Sequence, residues 1–238
     1  MKWPGDPIQA RLIKRYKRFL ADFTLEGGET VTAHCANTGS MKTCLMDDAP
    51  SILTYHDNPK RKLKYSWQAL EMPDGWVGIN TAMANGLVVE AISNGTVTEL
   101  AGYATLKTER KYGTSSRIDI LLSDSNRPDC YVEVKNATLL LEEGVVAFPD
   151  AVTTRGTKHL RELMEMVVEG HRAVLFFCVQ RASASRVVPA DAFDPEYGRT
   201  LREAVLAGVE VMAYQADFKE KGVDLVRSLP VDLGEGAT

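Results

Sequence analysis

The spacing of apolar residues changes near Asn80, and this change constrains the fold more than any other feature of the chain. Before it, the pattern is that of strands and turns. Residues 10–23 read as one long strand, and residues 29–34 (ETVTAH) alternate as a half-buried strand does. Short β-like runs at 50–55 and 76–79 are punctuated by Gly27-Gly28, Asn58-Pro59 and Pro73-Asp74-Gly75. Several short strands separated by turns predict a small β-barrel over residues 1–80.

After Asn80 the period becomes helical. Residues 81–93 (TAMANGLVVEAIS) place apolar side chains at 83, 84, 87, 88, 91 and 92, with Asn80 or Thr81 as N-cap and Asn94-Gly95 as the stop. Strands are then expected at 103–112, 117–122 (RIDILL) and 130–135 (CYVEVK), the last two joined by the polar turn 123–129. An amphipathic helix follows at 157–169, with Leu160, Leu163, Met164 and Val167 on one face. The apolar run 173–179 (AVLFFCV) reads as a parallel strand buried on both faces, and a helix at 199–207 and a strand at 209–214 complete the pattern. Residues 130–179 thus form a β-α-β unit, and residues 81–238 a mixed-sheet α/β domain.

Composition narrows the class of protein. A chain of 238 residues, 45% hydrophobic and 25% charged, suits a soluble globular protein. No apolar run nears the roughly 20 residues of a membrane span, and residues 1–7 lack the features of a signal peptide. Cys35, Cys44, Cys130 and Cys178 lie far apart, without zinc-site spacing, so free thiols and a cytoplasmic location are expected. The net charge of −4 is unevenly spread. Residues 1–80 hold 11 Lys and Arg against 9 Asp and Glu, whereas the remainder holds 17 against 23. A basic first part beside an acidic second part suits a binding module joined to a metal-chelating one.

The chemistry centres on the hairpin of residues 117–122 and 130–135. A register symmetric about Asn126 puts Asp119 opposite Glu133, and directly opposed residues have Cβ atoms about 4.5–5.5 Å apart. Two carboxylates so close repel each other, and a hard divalent cation such as Mg²⁺ relieves the repulsion. Lys135, two residues beyond Glu133, points to the same face. Its ammonium can orient an attacking water or stabilise charge building on a phosphate. Asp119, Glu133 and Lys135 together supply the parts that metal-dependent phosphodiester hydrolysis needs. Glu-x-Lys alone is a common solvated pair of little consequence; the facing aspartate and the surrounding order of elements give it meaning.

Several segments resemble the sugar fermentation stimulation protein A (SfsA) family. They are RIDILL, RPDCYVEVKNATL and FPDAVTTRGTKHLRELM, with RLIKRYKRFLAD, HCANTGSM, DNPKRK, ELAGY and LKTERKYG, spread over residues 11–230. The resemblance implies an OB-like β-barrel followed by a restriction-endonuclease-like, PD-(D/E)xK nuclease-type domain. It implies DNA binding, with a role in sugar-utilisation gene expression. By position, Asp119, Glu133 and Lys135 match the nuclease motif, and Glu90 matches the extra acid that some nucleases of this fold carry. Ile118 stands where the motif has proline. The implied cofactor is Mg²⁺ or Mn²⁺, held by Asp119, Glu133 and Glu90.

Other candidates follow from charge. Arg155, Lys158 and His159 open a helix, whose N-terminus favours phosphate; a capped, solvated helix start is the plain alternative. Asp150 reads as a turn residue after Pro149 ahead of the alternative, a hydrogen-bond partner behind the metal ligands, and Glu90 serves equally well as a surface residue. Arg11, Lys14, Arg15, Lys17 and Arg18 interleave with Tyr16 and Phe19, and Lys60, Arg61, Lys62 and Lys64 precede Tyr65 and Trp67. Such mixing suits backbone contacts with base stacking, unless the aromatics belong to the core. His34 and His56 read as structural. DNA is the expected partner, RNA an alternative, a membrane is not expected, and a homodimer is left open. DNA binding ranks above cleavage, and a non-catalytic DNA-binding regulator of sugar (maltose) utilisation genes is the rival reading. No helix-turn-helix or zinc finger is visible, so low sequence specificity is expected.

Overall fold

The computed structural model describes residues 1–112 and 116–234. Gly113, which closes the segment LKTERKYG, lies outside them. Six strands make the first sheet: β1 (Pro7–Tyr16), β2 (Leu20–Leu25), β3 (Thr30–His34), β4 (Pro50–Tyr55), β5 (Tyr65–Met72) and β6 (Gly75–Gly78). Their order is β3-β2-β1-β4-β5-β6, and parallel pairing of β3 with β5, at Ala33↔Tyr65 and His34↔Ser66, closes a five-stranded OB-like barrel. Inward residues such as Leu12, Phe23, Leu53 and Trp67 fill it, with Phe23 and Trp67 meeting edge to face at 5.1 Å.

The long strand expected over residues 10–23 is instead a hairpin. The chain reverses at Lys17 and Arg18, both with positive φ (49° and 63°). Neither residue type favours that conformation, so nothing in the sequence marks the turn. β5 is likewise a strand that the apolar spacing does not mark.

The second half is a three-layer α/β domain. A 3₁₀ turn (Thr81–Met83), capped by the Asn80 side chain, leads into α1 (Ala84–Ser93). There follow β7 (Thr105–Tyr112), β8 (Ser116–Asp124), β9 (Arg127–Ala137), β10 (Leu139–Glu142), β11 (Val145–Phe148) and α2 (Thr154–Val168). The chain ends with β12 (Arg172–Val179), β13 (Arg186–Pro189), α3 (Pro195–Leu206), β14 (Glu210–Lys219) and β15 (Gly222–Ser228). The main sheet has the order β15-β14-β12-β9-β8-β7, with β9, β12 and β14 parallel to one another. β12 is buried on both faces as its apolar run demands. Val174, Phe176 and Cys178 pack in the cluster with α1, while Leu175, Phe177 and Val179 pack in the cluster with α2 and α3. A small sheet, β10-β11-β13, occupies what reads in sequence as a loop. α3 starts earlier than its apolar period suggests, because Asp194 caps it and Pro195 opens it.

The two halves are laced together. Ile52 and Ala69 of the barrel belong to the same apolar cluster as α1. Val77 of β6 forms a bridge with Arg181, and the Gly78 N–H donates to the Gln180 carbonyl (2.9 Å). Arg181, 1% exposed, donates to both carboxylate oxygens of Asp74 (2.7 Å each) and to the carbonyls of Thr43 (3.0 Å) and Thr138 (3.1 Å). The Asp150 carboxylate accepts from the Ser40 N–H (2.8 Å) and hydroxyl (2.9 Å), 110 residues away in sequence. Hydrogen bonds to a charged group contribute about 1.5–3 kcal/mol, so Asp150→Ala is expected to lower stability by about 2 kcal/mol in urea unfolding. All four cysteines are buried free thiols. Among the described residues, no helix is long and apolar enough to cross a membrane.

Candidate metal and phosphate site

The β8–β9 ladder pairs Leu122, Leu121 and Ile120 with Cys130, Tyr131 and Val132, in the register that symmetry about Asn126 predicts, and shifts by one residue at Asp124↔Arg127 beside the turn. Beyond Ile120↔Val132 the strands part. The Val134 N–H donates to Asp119 Oδ2 (2.7 Å), so a side chain takes the place of the neighbouring backbone. Asn85 of α1 donates to Asp119 Oδ1 (2.8 Å). Glu133, 2% exposed, accepts from Lys135 Nζ (2.6 Å) and from His159 Nδ1, both at Oε1. Glu133 Oε2 is buried with no hydrogen-bond partner among the described residues. Glu133 and Lys135 are thus in contact and Asp119 lies close enough to feel both charges, although the ladder ends before the direct Asp119–Glu133 pairing that the hairpin arithmetic predicts.

The two acids are electrostatically unlike. Burial raises the Asp119 carboxyl, and the neighbouring Glu133 charge raises it further, against hydrogen bonds from Val134 and Asn85. Burial also pushes Glu133 up, but the His159 hydrogen bond and the Lys135 charge outweigh it and hold the group below its ordinary value.

Glu90 is not brought to this cluster. It lies on the exposed side of α1 and pairs with the Met1 amine at 2.5 Å. Five residues of helix turn it away from Asn85, which is the α1 residue that reaches Asp119. Among the described residues, no group of three His, Cys, Asp or Glu side chains is arranged to hold a metal ion.

Beside the acids opens a cleft of about 370 Å³, lined by Glu109, Ser116, Arg117, Asp119, Arg155, Lys158 and His159. Lys158 donates to the Ser116 hydroxyl (3.1 Å), which donates to the buried Glu162 (2.7 Å). His159 is buried and faces Glu133 rather than solvent. Asn85, Ser116, Arg117 and Glu162 stand beside the acids and the cleft, and no sequence motif marks them. The spacing of Arg155, His159 and Glu162 on one helix face is the signal that could have found Glu162.

The basic residues of the barrel divide by role. Arg15 turns to the carbonyls of Arg18 (2.8 Å), Asn37 (2.9 Å) and Gly39 (3.0 Å), bracing two loops rather than standing free. Arg11 pairs with Asp48 (3.0 Å), Lys14 lies 5.6 Å from the Tyr16 ring centre, and Arg61 donates to Ser66 Oγ (2.9 Å). Lys17, Arg18, Lys60 and Lys62 are exposed. Trp67 is core, whereas Phe19 and Tyr55 are 48% and 43% exposed. The pairings Leu20↔His34 and His34↔Ser66 bring the two basic segments to one rim of the barrel.

A family model for the sugar fermentation stimulation protein RE domain matches residues 82–222, and one for the SfsA N-terminal OB domain matches residues 13–79. The chain belongs to the SfsA family. A sugar fermentation stimulation protein homolog from Geotalea uraniireducens is 55% identical over 98% of this chain and 100% of its own length. One from Shewanella piezotolerans is 53% identical over 98% of this chain and 100% of its own. The SfsA of Pyrococcus furiosus, solved in complex with Ca²⁺, superposes with a TM-score of 0.86 at 25% identity, covering 98% of both chains. The order of an OB-like barrel followed by a restriction-endonuclease-like α/β domain is that of the SfsA family.

Proposed function

We propose that this protein binds DNA with little sequence preference and cleaves its phosphodiester backbone with Mg²⁺ or Mn²⁺ at Asp119 and Glu133. The observation that carries the reading is Glu133 Oε2, buried without a partner among the described residues and near a second carboxylate whose ionisation the Glu133 charge opposes. A buried acceptor without a donor is costly, and a hard cation satisfies it while relieving the repulsion. The residues therefore fit a divalent ion, and the Ca²⁺ held by the Pyrococcus furiosus relative is of that chemical class. Such an ion supplies Lewis acidity toward phosphate and lowers the pKa of bound water.

The chain's own groups do the rest. Lys135, fixed by Glu133, offers an ammonium where charge builds on the phosphate. Arg117, Arg155 and Lys158 around the cleft grip the strand next to Asp119. Lys17, Arg18, Lys60 and Lys62, with Phe19 and Tyr55, give the barrel rim its cations and its stacking surfaces.

The test is degradation of mixed single- and double-stranded DNA with Mn²⁺ or Mg²⁺, comparing the wild type with Glu133→Ala and Lys135→Ala. Loss of cleavage in both variants with DNA binding retained is expected. Equal cutting by the variants would refute the site. With about four phosphate contacts, affinity for DNA is expected to fall about 100-fold between roughly 50 and 200 mM salt. A binding constant that barely moves would count against backbone recognition.

One observation favours a second reading. Glu133 is almost wholly buried, its Oε1 is taken by Lys135 and His159, and Glu90 is turned away. A non-catalytic DNA-binding regulator of sugar (maltose) utilisation genes would bind in the same assay and never cut. In either reading DNA is the partner; failure of DNA to compete with RNA would reverse that choice.

A further inference from the structure

We infer that His159 is a positioning residue for Glu133, holding one carboxylate oxygen so that the other is presented to a divalent cation. The inference rests on the metal-site reading above. A residue that clamps phosphate needs a ring nitrogen facing solvent, and His159 has none to spare. It is 5% exposed, and both nitrogens are engaged by protein. Nδ1 meets Glu133 Oε1, a carboxylate oxygen that can only accept, so Nδ1 carries the proton. Nε2 then presents a lone pair, and Arg155 Nε donates to it at 3.3 Å. The Arg155 contact thus fixes the tautomer in which Nδ1 donates.

Lys135 Nζ donates to the same Oε1 at 2.6 Å and lies 3.3 Å from Nδ1. Two donors on one oxygen fix the rotation of the carboxylate. Glu133 Oε2 is left buried and without a partner among the described residues. A carboxylate that binds a cation through one oxygen and is oriented through the other needs a rigid donor of this kind. His159 sits one turn of α2 from the exposed Arg155, so the same helix face carries a strand-facing cation and an acid-facing imidazole.

The experiment is Mn²⁺ binding by titration calorimetry in the absence of DNA, on the full chain. His159→Leu removes the donor, and His159→Asn keeps an N–H near the position of Nδ1. His159→Leu is expected to weaken Mn²⁺ binding about 10–100-fold, and His159→Asn to recover most of it. Metal-free DNA affinity should change far less than Mn²⁺ affinity in both, because Arg117 and Lys158 keep their place at the cleft. Should His159→Leu fail to fold, His159→Gln replaces it, since its amide reaches toward Nε2 rather than Nδ1, and only His159→Asn should then keep Mn²⁺ affinity. Loss of DNA affinity with Mn²⁺ binding intact would return His159 to the phosphate contacts and overturn the inference. So would variants that melt earlier yet bind Mn²⁺ as the wild type does. A wild type that binds no Mn²⁺ would fail the metal-site reading itself, and this inference with it.

Discussion

Glu133→Gln is expected to reduce Mn²⁺-dependent cleavage by about 100-fold or more while lowering stability by less than about 3 kcal/mol. The loss follows from removing half of the charge that would hold the cation, an electrostatic contribution of several kcal/mol at the reacting phosphate. The stability side follows from the same geometry. Glu133 is buried beside Asp119, and its charge is one reason the Asp119 carboxyl is raised. The glutamine carbonyl still accepts from Lys135 and His159, while the repulsion between two acids disappears. Lys135 loses its counter-charge at Glu133 but keeps that of Asp119 nearby, so the relief of repulsion offsets part of the loss. Paired measurements of cleavage and thermal unfolding test both halves. Cleavage at the wild-type rate would remove Glu133 from the mechanism. A loss above about 3 kcal/mol would make the glutamate a structural residue instead.

The second large effect concerns Asp74, far from that chemistry. Asp74→Ala is expected to destabilise the protein by about 3–5 kcal/mol, because it strands the Arg181 guanidinium, 1% exposed, without a counter-charge. The effect depends on pH. Burial raises the Asp74 carboxyl, but hydrogen bonds from Arg181 and Ser183 outweigh it and hold the group below its ordinary value. Because the folded value is depressed, the stabilisation is fully present above the unfolded value of 3.8 and is lost as pH falls through the folded one. The gap between wild type and Asp74→Ala in urea unfolding should be wide near pH 7 and begin to narrow once pH falls below 3.8. A gap constant over that range would mean that the pair contributes through packing, not charge.

The hairpin of the candidate site is legible in the sequence because strand register obeys simple arithmetic. Symmetry about Asn126 predicts Ile120↔Val132, and that pair forms. Beyond it, sequence cannot show that the strands part and that Asp119 fills the gap by accepting from Val134. The helix around Glu90 is also legible, but not its rotation. Apolar spacing places Leu87, Val88 and Ala91 inward, which leaves Glu90 out and Asn85 on the side of Asp119. β10, β11 and β13 escape notice because four-residue strands carry too little period to separate them from loop. Arg181 is missed for another reason: its partners lie 107 and 138 positions away, and no local pattern announces a buried cation. His159 is seen as a cation at a helix start, and only its burial turns it toward Glu133.

The clasp at Arg181 has a bearing on how the molecule could be divided. A fragment beginning at the 3₁₀ turn would keep Arg181 and leave Asp74 behind, exposing an apolar surface once covered by Ile52 and Ala69 together with an unanswered guanidinium. Neither half carries its own seam. The barrel and the sheet domain are expected to melt in one transition, and the distance from the barrel rim to the acid pair becomes a fixed ruler. A strand held at the rim would then meet the acids at a set number of nucleotides from its grip.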